Sequence, residues 1–292
     1  GDQCGPGLIG FGAHAVVNRL ELEGEQMEDH RIFRQQMQHP QTPAGIDHLY
    51  GLDAAVISLA RSPERLAAFR QRFGPSAERI ALVDGVDGQT LQPQALLERG
   101  LLSPSALTWP RGQLGCALSH LRCHLRCLRQ GRPLLIFEDD ALPAQGWEAQ
   151  LAALLAEAPR NWELLLLGWN LDSCLQLEWA EGVSFTSLFQ PRFPQAEQLE
   201  AALAAPTRRQ WFRLHKGLGL AGYVLSPAGA ARLLSWALPL RTLPIQAPEL
   251  PERPCFSLDG QLNSLYPSLS AWACMPPLVL GANDKPASLT QH

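Results

Sequence analysis

Several things are scarce in this chain of 292 residues, and each scarcity excludes a class of answer. There is no basic excess: Lys and Arg number 24 against 28 Asp and Glu, a net charge of −4. A general nucleic-acid binder needs that excess to meet the phosphates. There is no long apolar run. Stretches such as Leu164 to Leu167 and Pro133 to Phe137 fall far short of the roughly 18 residues that span a bilayer. No internal repeat and no low-complexity tract is visible, and with 46% hydrophobic against 18% charged residues wholesale disorder is excluded. The composition therefore predicts a soluble globular protein, long enough for one large domain or two modest ones.

Cysteine is present without the pattern of a disulfide scaffold. The seven residues at 4, 116, 123, 127, 174, 255 and 274 are odd in number, and three of them crowd a single predicted helix, which suits a reducing compartment. No charged start followed by an apolar h-region stands out in the given residues, so the expectation is cytoplasmic. With 24 glycines and 24 prolines, many turns are expected.

Residues 1–48 differ from the rest. A short apolar stretch, Leu8 to Val17, leads into a polar segment that closes at Pro40 to Pro43. The expectation is a poorly ordered extension, since the spacing of His14, His30, His39 and His48 matches no ligand pattern. From Ala54 onward strands and helices alternate. Ala54 to Leu59 reads as a buried strand, and Ser62-Pro63-Glu64-Arg65 as a helix start with Ser62 at the N-cap. Arg79 to Val83, Pro133 to Phe137, Trp162 to Leu167 and the Gly-rich stretch Gly217 to Leu225 read as strands. Helices are expected over Gln113 to Arg129, ended by Gly131, and over Pro227 to Trp236. Such alternation predicts an α/β fold with a largely parallel sheet.

The segment Pro133 to Asp140 is the most informative. An apolar strand running into Glu138-Asp139-Asp140 crowds three like charges, which is unfavourable unless something positive offsets them. In open α/β sheets, ligands bind beyond the carboxyl ends of the strands. Glu138 and Asp140 point the same way along an extended chain and can converge on one hard cation, magnesium or manganese bridged to a diphosphate. A helix N-cap followed by a solvated turn is the alternative. In the preceding helix, Leu114, Leu118, Leu121, Leu125 and Leu128 form a core-facing stripe. Cys116, His120, Cys123 and Cys127 form a neighbouring stripe, spread over roughly 16 Å at about 1.5 Å per residue. That spread argues against a zinc site, since at most two of them can share one ion and other ligands would be needed, and the cysteines read as small buried hydrophobes. Ser119 and His120 are odd in a helix body, where contact with a polar ligand is expected.

Together, Gly115-Cys116-Ala117-Leu118-Ser119-His120 and Leu135-Ile136-Phe137-Glu138-Asp139-Asp140 resemble glycosyltransferase family 25, which includes lipooligosaccharide β-galactosyltransferases and collagen galactosyltransferases. Val56 to Arg61 with Arg65 is similar to the family's opening block, with Ser58 where Asn is usual. Arg79 to Gly85, Gly222 to Ser226 with Gly229-Ala230, and Pro276 to Val279 resemble further blocks. Leu258-Asp259 resembles a short acidic motif in which Gly260 replaces the usual second acid. The order is preserved over roughly residues 53 to 285.

The resemblance implies a catalytic domain over 49–292 with a glycosyltransferase A-type fold, a Rossmann-like, mostly parallel sheet flanked by helices. It implies a metal-dependent inverting enzyme that moves a hexose, galactose before glucose, from a UDP-sugar to a glycan, lipooligosaccharide or peptide-linked acceptor, with at most peripheral contact at the inner membrane. Glu138 and Asp140 would hold manganese or magnesium. Asp139 would face the ribose or donor sugar, and Ser58, Arg61, Arg65, Asp84, Ser119 and His120 would meet the donor. An inverting reaction needs a carboxylate to take the acceptor's proton, for which Asp259 and then Asp172 are the candidates. Trp109, Trp169 and Trp211 are candidates for stacking on sugars. His215-Lys216 and the Arg208, Arg209, Arg213 cluster are further candidates for ligand or surface contact, and Leu177 to Arg213 for loops shaping the acceptor site. A non-catalytic nucleotide-sugar-binding module and a metal-dependent phosphohydrolase are the competing readings.

Overall fold

The computed structural model describes residues 49–246 and 252–282. The extension expected over 1–48 lies outside the described residues. In chain order the strands are β1 (Asp53–Ser58), β2 (Ala81–Asp84), β3 (Leu134–Glu138), β4 (Ala141–Pro143), β5 (Leu164–Leu166), β6 (Cys174–Ala180), β7 (Val183–Leu188), β8 (Gln210–Lys216), β9 (Gly222–Leu225), β10 (Leu243–Ile245), β11 (Arg253–Cys255), β12 (Ala271–Met275) and β13 (Val279–Gly281). The α-helices are α1 (Pro63–Phe73), α2 (Pro93–Glu98), α3 (Arg111–Gln130), α4 (Trp147–Ala156), α5 (Ala196–Ala204), α6 (Pro227–Ala237) and α7 (Leu258–Leu262).

Nine strands form one sheet in the order β2-β1-β3-β9-β5-β12-β8-β6-β7. The α/β class holds, but the sheet is mixed rather than mostly parallel. β1 pairs parallel with β2 and β3, and β12 with β5. β9 runs antiparallel between β3 and β5, and the β12, β8, β6, β7 half is antiparallel throughout. The central strands are buried on both faces, and that demands continuous apolar runs whatever their direction. Along β3, Leu134 and Ile136 join the layer formed by α3, α6 and α7, while Leu135 and Phe137 join the opposite layer with Phe69 and Phe73 of α1 and Leu151 of α4. A helix layer on each side of the sheet thus accounts for every apolar position in the strand.

α3 starts at Arg111 and stops where Gly131 adopts φ 62°, a left-handed conformation that glycine enters at little cost. Leu114, Leu118, Leu121 and Leu125 are buried along it, as their spacing predicts. Ser62 stands at the N-cap of α1 but makes no side-chain cap bond. The expected loop over 177–213 is largely regular structure, with β6 and β7 as a hairpin, α5, and β8. Among the described residues, no helix is long and apolar enough to cross a membrane.

Candidate active site

A cleft of about 550 Å³ opens at the carboxyl ends of β1 and β3. Its walls come from the start of α1, the loop after β2, the first turns of α3, the acid turn after β3, the segments 169–171 and 218–221, α7 with the residues before it, and the end of β13 with Ala282. Ser58, Arg61, Arg65, Ser119, His120, Glu138, Asp139, Asp140 and Asp259 all line it, whereas Asp84 and Asp172 do not. Asp84 ends β2 opposite Ser58 in the strand register.

The three acids of the turn meet three different environments. Asp139 is buried and points into the protein. Its Oδ1 accepts from Nε of Arg65 at 2.8 Å and from Nη2 at 2.5 Å, and its Oδ2 accepts from Ser58 Oγ at 2.7 Å. Two helical turns further on, Arg72 donates to the backbone oxygens of Asp139 at 2.6 Å and Ala141 at 2.9 Å. α1 thus clamps the turn with two guanidinium groups, and the three residues expected as donor contacts, Ser58, Arg65 and Asp139, bind one another. The positive charge that the sequence demanded of a ligand is partly supplied by the chain itself.

Glu138 faces α3. Its Oε1 lies 3.0 Å from His120 Nε2 and 3.8 Å from Cys116 Sγ. Burial works to raise its carboxyl, but the hydrogen bond and charge of His120, then Arg65 and the Cys116 thiol, outweigh it and hold the group below its ordinary range. On its other side His120 presents Nδ1 to the Tyr223 hydroxyl at 2.9 Å, and that hydroxyl lies 2.8 Å from Nε2 of His124. Burial, and His120 after it, push His124 down to about 3, so its ring is neutral. Burial, Glu138, Asp259 and Asp140 push the Cys116 thiol up.

Asp140 is the acid left in deficit. Its Oδ1 is buried and has no hydrogen-bond partner among the described residues. Burial first and Glu138 second raise its carboxyl from 3.8 to about 7, with Asp139 adding to the rise and Arg65 and Arg72 offsetting part of it. A hard divalent cation fits this place, because an orphaned carboxylate oxygen beside a second carboxylate is the donor set that such ions take. Glu138 and Asp140 are the residues that would hold it.

Ser119 contacts backbone. Its hydroxyl donates to the Gly115 carbonyl at 2.7 Å and accepts from the Val86 amide at 2.8 Å. Gly115 is the partner of that contact, since a Cβ there would lie 2.4 Å from the Val86 oxygen. The Gly-Cys-x-Leu-Ser-His run therefore does two jobs. Positions 115 and 119 dock the loop after β2, and positions 116 and 120 face Glu138. Arg61 pairs with Asp87 of that loop at 2.9 Å.

Asp259 sits in the first turn of α7, with Ser257 as N-cap. Its Oδ2 accepts from the Gly219 amide at 2.7 Å, and its Oδ1 accepts from the Gly260 amide at 2.9 Å and from Ser257 Oγ. Gly219 has φ +95°, and a Cβ there would fall 2.3 Å from Asn170 Oδ1. Gly260 is closed to any side chain, because its Cβ would lie 1.9 Å from Cys255 Sγ.

The remaining candidates separate. Trp169 lines the cleft while almost wholly buried. Trp109 donates to Thr242 Oγ1 at 2.9 Å and Trp211 to the Leu154 carbonyl at 2.8 Å, both outside the cleft. His215 pairs with Glu178 at 2.6 Å, Lys216 reaches the Asn263 carbonyl at 3.1 Å, and buried Arg209 reaches the Pro277 carbonyl at 2.9 Å. Arg208 lies 3.8 Å from Glu157, and Arg213 stacks over Trp272. Of residues 177–213, only Leu199 borders the cleft. Sequence reasoning missed Arg72 and Tyr223. Arg72 lies seven residues after Arg65 on α1, a same-face spacing that was there to be read.

Comparison with known proteins agrees with these motifs. The family model described as "Glycosyltransferase family 25 (LPS biosynthesis protein)" matches residues 53–246. A rat protein named "Probable inactive glycosyltransferase 25 family member 3" is 30% identical over 142 residues, which are 44% of this chain and 24% of that protein. The human "Inactive glycosyltransferase 25 family member 3" is 29% identical over 170 residues, 53% of this chain and 27% of that protein. The matched stretch thus spans about a quarter of the length of these relatives. A solved structure, the mannose-1-phosphate geranyltransferase from Thermus thermophilus, superposes with a TM-score of 0.32 at 14% identity over 79% of this chain and 74% of that one, too slight a likeness to bear on chemistry. With the family model covering most of the chain and its two strongest motifs meeting in one cleft, the chain belongs to glycosyltransferase family 25.

Proposed function

We propose that residues 49–292 form a glycosyltransferase A-type catalytic domain that moves a hexose, galactose in the first instance, from a UDP-sugar to a hydroxyl of a glycan, lipid-linked or peptide acceptor, with inversion and with manganese or magnesium. The single observation that carries this is the buried, unpartnered Oδ1 of Asp140 beside Glu138 at the end of β3. When bound there, a divalent cation supplies Lewis-acid neutralisation of the departing diphosphate.

The chain's own residues do the rest. Ser58, Arg65 and Asp139 hold the acid turn in place, so that Glu138 and Asp140 face the cleft. The loop after β2, pinned by Ser119 and carrying the Arg61–Asp87 pair, borders the donor and brings a guanidinium to its charged end. Of the two candidate bases, Asp259 alone lines the cleft, and it takes the acceptor's proton in this reading. Its contacts to Gly219 and Gly260 fix its orientation. Trp169, almost wholly buried, backs the cleft from beneath its surface.

A specific observation favours a second reading, a nucleotide-sugar-binding domain without turnover. Both oxygens of Asp259 are already engaged, and Gly260 has no room for the second acid of the family motif. The relatives named inactive point the same way.

A thermal-shift panel of UDP-sugars with and without manganese tests the common part. Stabilisation that requires both is expected, and Asp140→Ala should lose it. Sugar transfer to added acceptors then decides between the readings: transfer supports the enzyme, and binding without transfer supports the second. Stabilisation by manganese alone, with phosphate release, would instead favour a phosphohydrolase.

A further inference from the structure

Cys116, His120 and Glu138 bring three ligand atoms of different chemistry within 4.8 Å of one another at the base of the cleft. His120 Nε2 lies 3.0 Å and Cys116 Sγ 3.8 Å from Glu138 Oε1. Around a tetrahedral zinc ion, with bonds of about 2.0–2.3 Å, ligand atoms stand roughly 3.2–3.8 Å apart. The two distances to Glu138 Oε1 lie close to that range, and the third pair lies within 4.8 Å. Cys116 and His120 reach the point from successive turns of α3 and Glu138 from the end of β3, so all three ligands stand on core-packed elements.

The surroundings of His120 agree. A histidine that binds a metal through one nitrogen needs an acceptor for the N–H of the other. Nδ1 of His120 has the Tyr223 hydroxyl at 2.9 Å, and that hydroxyl has the neutral ring of His124 at 2.8 Å to donate to. The row His120 Nδ1–H to Tyr223, then Tyr223 O–H to His124 Nε2, leaves the Nε2 lone pair of His120 facing the ion. Soft thiolate and imidazole ligands select zinc-like ions, whereas manganese and magnesium prefer oxygen.

We propose that Cys116, His120 and Glu138 form a binding site for a thiophilic divalent cation of the zinc class, its fourth position open to the cleft, and that an ion there withdraws Glu138 from Asp140 and so inhibits donor binding. As the ion binds, the thiol proton of Cys116 and the Nε2 proton that His120 shares with Glu138 both pass to solvent, leaving thiolate and imidazole as ligands. The inhibitory half rests on the donor-cation reading above; the site itself does not.

Cobalt(II) titration of the metal-stripped native chain tests the site, because a thiolate ligand gives a charge-transfer absorption in the near ultraviolet. That absorption is expected to saturate at one equivalent, to be bleached by zinc and to be missing from Cys116→Ser. Tyr223→Phe should keep the absorption but weaken affinity about 10–100-fold, which a purely packing role for Tyr223 would not do. A measurement that needs no variant is proton release from the native chain in weakly buffered solution, which zinc and not magnesium should provoke; no release on zinc addition overturns the site. No absorption at saturating cobalt, or an unchanged absorption in Cys116→Ser, overturns the site. Manganese-plus-UDP stabilisation of the native chain is recorded alongside, and zinc should abolish it. If that stabilisation is missing while the cobalt absorption is present, the donor reading fails and the inhibitory half with it, while the site stands. If it persists in zinc, the inhibitory half fails.

Discussion

At the scale of the residue, Asp140 and Gly260 carry the most consequence. Asp140 is raised from 3.8 to about 7 by burial and by Glu138, so between those values the folded chain holds a proton that the unfolded chain has released. Stability therefore falls as pH rises through that window and is lowest above it. Asp140→Asn, which removes the titration, is expected to melt above the native chain at about pH 8, with the gap closing toward about pH 4. Urea denaturation at both pH values checks this, and an equal gap at each would remove the charge argument. For the same reason manganese should raise the melting temperature more at the higher pH.

Gly260→Asp tests whether the family's second acid can be restored. The clash with Cys255 Sγ should lower stability by about 1–3 kcal/mol, and Cys255→Gly in the same chain should recover most of it; full stability of the single variant would show that the segment yields. Much at this scale was legible in the sequence, including the acids, His120 and the odd serine of α3. What Ser119 and Asp139 touch was not, because a sequence shows that a polar residue is out of place and not whether backbone, a guanidinium or a ligand satisfies it.

At the scale of the element, α3 works as a bracket. Its turn at Gly115 and Ser119 holds the loop after β2, and its turn at Cys116 and His120 faces the acids. Ser119→Ala leaves the buried Val86 amide without its acceptor, and such a loss costs about 1–3 kcal/mol. The expected outcome is a lower urea midpoint together with weaker UDP stabilisation; a change in neither would show that the loop is held by other contacts. The helix itself was plain from its leucine spacing and from Gly131. The direction of β9 was not. Gly222 to Leu225 is buried at every position, and a strand buried on both faces reads the same whether it runs parallel or antiparallel. The mostly parallel expectation failed at that point.

At the scale of the whole molecule, two apolar layers flank the sheet, yet the sheet does not end as well covered as it begins. β7 forms one edge, and Trp179 and Val183 at its turn are 72% and 51% exposed. A long apolar edge invites pairing with another chain. Val183→Lys is expected to reduce concentration-dependent light scattering with little change in melting temperature, and unchanged scattering would exonerate the edge. The cleft, for its part, is assembled from distant stretches of chain: residues 57–61 form one wall, while 255–259 and 280–282 close another. Synthesis on the ribosome delivers these walls in order, and the family match at 53–246 ends before the last of them. A nascent chain that has emerged only through its matched segment still lacks the walls at 255–259 and 280–282, so the cleft closes only once those residues arrive.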